Sequence, residues 1–367
     1  MRVIITGGGT AGHIYPGLAI ADEIKNHISE ANILFVGTKK GLEATVVPKA
    51  GYDFKTINIY GLKRKISLHI FVTLLSFFAS SLKSLKILRD FRPQVVVGTG
   101  GYVSAPLIGM AILLRIPTII HEQNSVPGLV NKVMGKWVDV VTASFPDTKS
   151  FFKGNCIVTG NPVRKEILKT GRKEALSYFP IDSKRKTLLV FGGSQGSKRI
   201  NESLIEAYDK FRYCGNLQII HVTGRIAFDG ISDKIEKQKR REDKVLYNCY
   251  SYLDSIGKAY AASDLVLSRA GATTIAEITA IGIPSILVPY PYATGNHQEK
   301  NALILEHKGA SRMILDKELN GIAVFNLVNE LIFNDESLGK MRKNAAMIGK
   351  PKAAFEIVKL VKMLGER

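Results

Sequence analysis

The chain has little cysteine, little tryptophan and few acidic side chains for its 367 residues. Its three cysteines, Cys156, Cys214 and Cys249, lie far apart and form no CxxC pair. This spacing argues against a redox or metal-binding role and indicates a protein that keeps its thiols reduced. A strand-like run follows Met1 directly, so we also expect no secretory signal.

The shortage of acidic side chains is the larger departure from ordinary composition. Lys and Arg number 51 against 32 Asp and Glu, which gives a net charge of +19. Such an excess favours a polyanionic partner, whether nucleic acid, an anionic membrane face or a phosphorylated substrate. The aromatic residues are not interleaved with Lys and Arg as a base-stacking surface requires, so we expect no nucleic-acid partner.

Apolar runs of strand length alternate with helix-length patterns along nearly the whole chain. The runs are RVIIT, NILFVG, DFKTINI, QVVVG, PTIIHE and DVVTAS in the first half, and TLLVFGG, LQIIHVTG, KVLYN, DLVLSR and PSILVP in the second. Continuous Val, Ile and Leu runs indicate strands buried on both faces, hence parallel sheets covered by helices. The sequence predicts an α/β fold of two doubly wound, Rossmann-like domains that face a cleft.

The domain boundaries follow from the same pattern. We expect the first domain to span residues 1–165 and the second 166–350, with a polar stretch from about Lys169 to Lys186 separating their strands. A last helical pattern, within residues 351–367, packs either on the second domain or back on the first.

Two glycine-rich turns, GGGTAGHIYPG from Gly7 and GGSQGSKR from Gly192, each follow an apolar run and open a helical pattern. In such a turn, backbone N–H groups and a helix N-terminus can face an anion, so we expect a phosphorylated ligand in the cleft. The GxGxxG spacing of the first turn is typical of dinucleotide sites, but the second strand ends in GTKK without a ribose-binding carboxylate. No Walker A run occurs either.

Seven motifs occur in one order along the chain: GGGTAGHIYPG, GTGGYVSAP, HEQNSVPGLVNK, GNPVR, GGSQGS, SRAGATTIAE and NHQEKNA. In this order they resemble the MurG family of bacterial GT-B glycosyltransferases, family 28. The resemblance implies the two-domain GT-B fold and an inverting transfer of N-acetylglucosamine. The implied donor is UDP-N-acetylglucosamine, and the implied acceptor is undecaprenyl-pyrophosphoryl-N-acetylmuramyl-pentapeptide. This is a step of peptidoglycan synthesis, on which cell shape and division depend.

The resemblance also implies a donor site in the C-terminal domain, with Asn124 contacting the donor sugar across the cleft. Glu277 suits ribose recognition because a carboxylate accepts two hydroxyl donors at once. One departure from the family is Ala11, which would be strained if the glycine usual there has a positive φ. The implied substrate-binding residues are Thr10, Ala11, Gly12, Asn124, Arg164, Ser194, Gln195, Leu253, Ala272, Thr273, Thr274, Glu277 and Gln298.

Displacement of UDP requires a base for the incoming hydroxyl and a stabilised leaving group. No Asp-x-Asp pair occurs, so we expect no metal and no other cofactor, with helix N-termini stabilising the diphosphate. His13 is the candidate base because imidazole titrates near neutrality; a structural hydrogen-bond partner at the helix start is the alternative. His121 and Glu122 end the strand PTIIHE, where open α/β sheets place functional groups, and they are alternatives as the base or as acceptor ligands.

The motif GTGGYVSAP is a third glycine-rich helix entry, after the run QVVV. The resemblance associates it with the acceptor's pyrophosphate, at Gly100, Gly101 and Tyr102. Backbone amides suit that ligand, and a plain strand-to-helix turn is the alternative.

A lipid-linked acceptor requires membrane contact, for which the stretch GLKRKISLHIFVTLLSFFASSLKSLKILR is the candidate. It is too short to span a bilayer. We expect an interfacial helix, peripheral on the cytoplasmic side of the cell membrane and attracted to anionic lipid, with most of its apolar face in the domain core and one end in lipid. The apolar face comprises Leu68, Phe71, Val72, Leu75, Phe78, Ala79 and Leu82; a polar strip comprises His69, Thr73, Ser76 and Ser80; basic residues are Lys63, Arg64, Lys65, Lys83, Lys86 and Arg89.

Other functions explain parts of the sequence. A UDP-sugar epimerase of similar fold would share the nucleotide site but would not need a basic apolar surface. A non-catalytic membrane-binding protein would use the charge alone. An NAD-dependent oxidoreductase explains the first glycine turn and nothing else.

Overall fold

A computed structural model describes residues 1–59 and 69–366, with the backbone alone for residues 69–74. The chain forms two compact units, one comprising Met1–Arg164 with Lys350–Arg367 and the other Lys165–Gly349. We call them the first and second units. The polar stretch that the sequence suggested as a separator therefore lies within the second unit.

The first unit is built on a parallel sheet whose described strands follow the order β3-β2-β1-β4-β5-β6-β7. Chain order reverses between β1 and β4, which pair from Val3 with Val95 to Gly7 with Gly100. In open α/β sheets, ligands bind at the carboxyl ends of strands where the order reverses. The strands are β1 Arg2–Gly7, β2 Asn32–Gly37, β3 Asp53–Thr56, β4 Val95–Gly100, β5 Thr118–Glu122, β6 Val140–Ala143 and β7 Cys156–Val158.

Helices cover both faces of this sheet. The described helices are α1 Ala11–His27, α2 Glu43–Lys49, α3 His69–Phe91, α4 Ser104–Leu113, α5 Leu129–Met134 and, from the end of the chain, α15 Ala353–Gly365. The apolar face of α15 packs on α1 and joins the core of the first unit through Ile357, Val358, Val361 and Leu364. This unit is therefore completed by the last residues of the chain.

The second unit repeats the design, with described strands in the order β10-β9-β8-β11-β12-β13 and a reversal between β8 and β11. Its strands are β8 Lys186–Phe191, β9 Leu217–Val222, β10 Leu246–Tyr250, β11 Leu265–Arg269, β12 Ser285–Val288 and β13 Ser311–Met313. Its helices are α6 Lys165–Lys169, α7 Arg172–Tyr178, α8 Lys198–Phe211, α9 Phe228–Gln238, α10 Ile256–Ala262, α11 Ala272–Ala280, α12 His297–His307, α13 Gly321–Ile332 and α14 Asp335–Ile348.

Every apolar run that the sequence analysis assigned to a strand contains one, and the structure adds β7 and β13. Both added strands have three residues and lie at sheet edges. Their sequences, CIV and SRM, are too short to form an apolar run, and the central Arg312 of β13 is exposed.

Residues 75–82 of α3 turn their large apolar side chains outward, whereas Ile87 and Leu88 nearer its end lie in the core. Leu75, Phe78 and Leu82 are 69%, 64% and 53% exposed, whereas Ser80 and Ser84 are buried. The Ser80 hydroxyl donates to the carbonyl of Asn58 over 2.5 Å. The expectation that most of this apolar face is core is therefore wrong for residues 75–82, which present what we call the exposed stripe: Leu75, Phe78 and Leu82.

The rest of the candidate membrane stretch is less fully described. Lys63, Arg64, Lys65 and Leu68 lie outside the described residues, and the side chains of Phe71 and Val72 are not described. Among the described residues, no helix combines the length and apolarity needed to cross a bilayer.

Candidate functional site

In the first unit, the loops that follow β1 and β4 interlock where the strand order reverses. The amide of Gly8 donates to the carbonyl of Gly100 over 3.3 Å. Gly101 has φ +84°, and a Cβ added there would lie 2.5 Å from the carbonyl oxygen of Gly8. Only glycine fits this position, because a side chain would be strained and would also push the two loops apart.

His13 lies in the first turn of α1, above this junction. Its Nδ1 atom is 2.9 Å from the carbonyl oxygen of Gly8 and 3.3 Å from Oγ1 of Thr10. A carbonyl only accepts hydrogen bonds, so Nδ1 carries the proton and Nε2 of the neutral ring keeps its lone pair. The ring is half-buried, and a Cβ added at Gly100 would be 3.1 Å from Nε2. The arrangement suits proton acceptance at Nε2.

The neighbouring loop residues have ordinary geometry. Thr10 is the N-cap residue of α1 and Ala11 is its first residue. Ala11 is not among the residues with positive φ, so the strain considered for it is absent. Tyr102 is exposed just before α4, next to the two glycines predicted to bind pyrophosphate.

His121 is placed unlike a catalytic base. Its ring is fully buried, with Nδ1 3.0 Å from Oγ1 of Thr142 and Nε2 2.9 Å from Oδ1 of Asn161. Burial lowers the pKa of His121 to about 4. This placement argues against the alternative in which His121 is the base, because both nitrogens are buried and have protein partners.

Glu122 is also buried and shapes the loop after β5. Its carboxylate accepts hydrogen bonds from the amides of Asn124 and Gly128, at 3.0 and 3.1 Å, and from Nδ2 of Asn131 at 2.8 Å. Both oxygens of Glu122 are turned toward these donors, which argues against the alternative in which Glu122 is the base. It instead fixes the position of Asn124, the predicted donor-sugar ligand.

Arg164, another predicted donor ligand, is the last residue of the first unit. Its guanidinium carbon lies 4.4 Å from the ring centroid of Tyr15. Tyr15 follows His13 by two residues on α1, so this predicted ligand lies against the same helix as the candidate base.

In the second unit, the loop between β8 and α8 is a compact glycine turn. Gly193 and Gly196 have positive φ, and a Cβ at Gly196 would collide with the carbonyl of Thr223 after β9. Ser194 and Gln195 are exposed in this loop. Together with the amides at the start of α8, they form a surface suited to a phosphate group.

The other predicted donor residues lie on the loops and helices that follow β10, β11 and β12. The first amides of α11, at Ala272, Thr273 and Thr274, have no carbonyl before them within the helix. The remaining three are Leu253 in the loop after β10, Glu277 on α11 and Gln298 on α12. The loops and helices that follow β8, β10, β11 and β12 of one sheet thus carry Ser194, Gln195, Leu253, Ala272, Thr273, Thr274, Glu277 and Gln298.

Two of these side chains have partners that fix their direction. Glu277 is buried, and its Oε2 accepts a hydrogen bond from the hydroxyl of Tyr260 over 3.0 Å. Gln298 accepts one from the amide of Tyr290 over 2.9 Å.

The sequence analysis did not single out Arg269, although it stands in the motif SRAGATTIAE at the end of β11. Its guanidinium donates to Oγ of Ser197 at 2.7 Å, to the carbonyl of Pro289 at 3.2 Å and to Oδ1 of Asp316 at 2.5 Å. It therefore ties the start of α8 to the loop after β12. Its position at the end of a predicted strand, within a recognised motif, is the signal by which the sequence analysis could have found it.

Glu43 is a second residue that the sequence analysis missed. Its buried carboxylate accepts from the amide of Thr38 after β2 and from the amide of Gly9 in the first glycine turn. The sequence analysis found no carboxylate at the end of β2, but Glu43 of α2 places its carboxylate there. In the described residues, no group of three His, Cys, Asp or Glu side chains is arranged to hold a metal ion.

Comparison with known proteins gives matches over the whole chain. Residues 3–143 match the glycosyltransferase family 28 N-terminal domain, and residues 187–357 match its C-terminal domain. A protein of Desulforamulus reducens is 42% identical over 99% of both chains. It is named UDP-N-acetylglucosamine--N-acetylmuramyl-(pentapeptide) pyrophosphoryl-undecaprenol N-acetylglucosamine transferase.

Two solved structures are similar in fold. The crystal structure of MurG from Acinetobacter baumannii has a TM-score of 0.77 at 25% identity, over 99% of both chains. The UDP-GlcNAc 2-epimerase of Neisseria meningitidis, bound to UDP-GlcNAc, has a TM-score of 0.68 at 16% identity, over 99% of this chain and 100% of that chain. At that identity the epimerase shares the fold alone.

Proposed function

The chain belongs to glycosyltransferase family 28, and from this premise we propose that it transfers N-acetylglucosamine from UDP-N-acetylglucosamine to undecaprenyl-pyrophosphoryl-N-acetylmuramyl-pentapeptide in peptidoglycan synthesis. The observation that carries the proposal is the 42% identity, over 99% of both chains, to a protein named for this reaction. The enzyme is a hexosyltransferase.

The chemistry is a single displacement with inversion. An acceptor hydroxyl forms the new bond to the anomeric carbon as the bond from that carbon to UDP breaks. We assign His13 as the base, because Nδ1–H donates to the carbonyl of Gly8 and leaves Nε2 to take the hydroxyl proton. Burial and saturated hydrogen bonds speak against His121 and Glu122 in this role.

The departing UDP carries two phosphates whose charge must be stabilised. We propose that the glycine turn before α8, with Ser194 and Gln195, and the free amides at the start of α11 do this through hydrogen bonds. Glu277 is the proposed ribose ligand, because a carboxylate accepts two hydroxyl donors at once, and the bond from the Tyr260 hydroxyl fixes its direction. Arg164 adds a positive charge for the diphosphate.

The acceptor carries its own pyrophosphate, which we assign to the amides of Gly100, Gly101 and Tyr102. These lie beside His13, so a hydroxyl of the attached sugar is brought toward the base. Asn124, whose position is fixed by Glu122, is the proposed ligand of the donor sugar.

We also propose that the enzyme binds the cytoplasmic face of the cell membrane peripherally. The exposed stripe of α3 supports this, since three large apolar side chains on one helix face are exposed beside Lys83 and Lys86. A surface of apolar and basic residues suits an anionic lipid interface. Neither an epimerase nor a nucleotide-binding protein without a lipid substrate would need it.

The test is UDP release from UDP-N-acetylglucosamine, with and without a short-chain lipid-pyrophosphoryl-N-acetylmuramyl-pentapeptide, and identification of the product by mass. We expect acceptor-dependent release, a disaccharide product and unchanged rates in EDTA. UDP binding without acceptor-dependent release would overturn the proposal, and epimerised donor in the mixture would support the epimerase instead. Activity lost in EDTA and restored by Mg²⁺ would contradict the metal-free reaction.

A further inference from the structure

Glu43 joins two loops of the first unit at the edge where His13 lies. It is 1% exposed. Its Oε1 accepts from the amide of Thr38 at 3.0 Å and from the Thr38 hydroxyl at 2.7 Å, and its Oε2 accepts from the amide of Gly9 at 3.2 Å. The carboxylate thus connects the end of β2 to the glycine turn after β1.

The chain leaves space for this carboxylate at three glycines. A Cβ added at Gly8, Gly37 or Gly41 would collide with the side chain of Glu43. These glycines come from both loops, so the side chain fills a hole between them. A buried carboxylate that accepts three hydrogen bonds and is surrounded by glycine backbone holds the neighbouring loops in one arrangement.

The turn that Glu43 holds is the one that orients the base. Gly9 has φ +83°, and its amide is bonded to Glu43. The preceding carbonyl, of Gly8, accepts from Nδ1 of His13 at 2.9 Å. Glu43 and His13 therefore bond to the same peptide group, Glu43 to its amide at Gly9 and His13 to its carbonyl at Gly8.

We propose that Glu43 is a positioning residue that holds the Gly8–Gly9 turn and, through it, His13. The proposal rests on the proposed function, with His13 as the base. Glu43 does not touch the reacting atoms. Its effect on the transfer passes through the direction of the imidazole ring, and a small displacement of a catalytic group is enough to slow a reaction strongly.

The experiment is a double-mutant cycle on the full chain with Glu43→Gln and His13→Gln. Glutamine keeps the size of Glu43 but turns an NH2 group toward an N–H donor, which breaks one of the bonds. We expect Glu43→Gln alone to lower kcat by about tenfold to a hundredfold, with the KM for UDP-N-acetylglucosamine within about twofold of wild type. In the His13→Gln background the same change should lower kcat by less than about twofold, because residues that act as a unit are not additive.

A merely structural role gives another result, since the two losses would then multiply and the KM for the donor would rise as well. Either outcome would overturn the proposal while the transferase activity of the wild type stands. A wild type without acceptor-dependent UDP release would instead overturn the proposed function.

Asp139→Asn is the control for the hydrogen-bond pattern, at an exposed carboxylate. Asp139 also accepts from an amide and a hydroxyl of one threonine, Thr118, at 2.8 and 3.1 Å, but at the start of β5 and away from the glycine turns. We expect its kcat to stay within about twofold of wild type. If Asp139→Asn lowered kcat as much as Glu43→Gln does, the effect would come from any weakened contact around the sheet, and the proposal would be refuted.

If Glu43→Gln does not fold, Thr38→Val replaces it. That change removes the hydroxyl bond at 2.7 Å and leaves both amide bonds to Glu43. We expect a loss in kcat of about threefold, again absent in the His13→Gln background. An undiminished loss in that background would count against the proposal.

Discussion

Replacing Leu75, Phe78 and Leu82 together with serine removes the exposed stripe of α3 without touching the core of the first unit. Full burial of a Leu or Phe side chain is worth about 1.5–3 kcal/mol. Since these side chains are 69%, 64% and 53% exposed, about 4 kcal/mol of burial is still available at an interface. An interfacial helix realises part of this, so we expect membrane partitioning to fall by about a hundredfold or more.

The assay is sedimentation with vesicles of phosphatidylcholine and phosphatidylglycerol at low salt. The same variant should release UDP at the wild-type rate with a water-soluble acceptor, because none of the three residues is among the predicted substrate-binding residues. A control variant carries serine at three exposed apolar residues of the second unit, Tyr213, Ile322 and Met347. We expect this control to bind vesicles as the wild type does.

Vesicle binding of the stripe variant within about threefold of wild type would refute the reasoning. So would an equal loss in the control variant, because it would attribute binding to general hydrophobicity. Neutralising Lys63, Arg64 and Lys65 tests the electrostatic part separately. We expect a loss of binding that is largest at low salt.

Three further results are expected. Gly101→Ala should lower the free energy of unfolding, measured in urea, by about 1–3 kcal/mol and should raise the KM for the acceptor. The reason is that residue 101 has a positive φ and that its new Cβ would collide with the carbonyl of Gly8. Unchanged values would contradict the interlocked loops. His13→Gln should lower kcat by about 10²- to 10⁴-fold with little change in the KM for the donor, and a loss below about tenfold would remove His13 as the base. Burial holds the pKa of His121 at about 4 and that of His221 at about 3, both below the value of about 6.5 in the unfolded chain. The unfolded chain therefore binds more protons than the folded one, and the free energy of unfolding falls as the pH drops below about 6.5. At pH 5 each of the two histidines should lower the free energy of unfolding by about 2 kcal/mol. Equal urea midpoints at pH 7.5 and pH 5 would contradict this.

The strand pattern predicted the two parallel sheets because strands buried on both faces must be apolar throughout. It did not predict β7 and β13, since a three-residue edge strand such as SRM has no such requirement. The motifs marked the strand ends that carry the candidate site. They did not mark Glu43, whose carboxylate reaches the first glycine turn only after α2 has packed beside it.

Periodicity also could not decide which side of α3 is buried. The apolar face of an amphipathic helix ordinarily packs inward. In this chain the buried side carries Ser80 together with the apolar Ile87 and Leu88, and the Ser80 hydroxyl is satisfied by the carbonyl of Asn58. A serine that is bonded in this way is accepted in the interior, and the sequence gives no sign of the distant carbonyl that makes it possible.

The return of α15 to the first unit bears on the order in which the protein matures during synthesis. The second unit has its whole polypeptide, Lys165–Gly349, before the first unit has its own, because the latter waits for Lys350–Arg367. Until α15 emerges from the ribosome, the groove on α1 that receives Ile357 and Val361 is open to water. The half that begins at Met1 is thus the last to be finished, and an apolar surface left uncovered during that interval favours aggregation of the nascent chain.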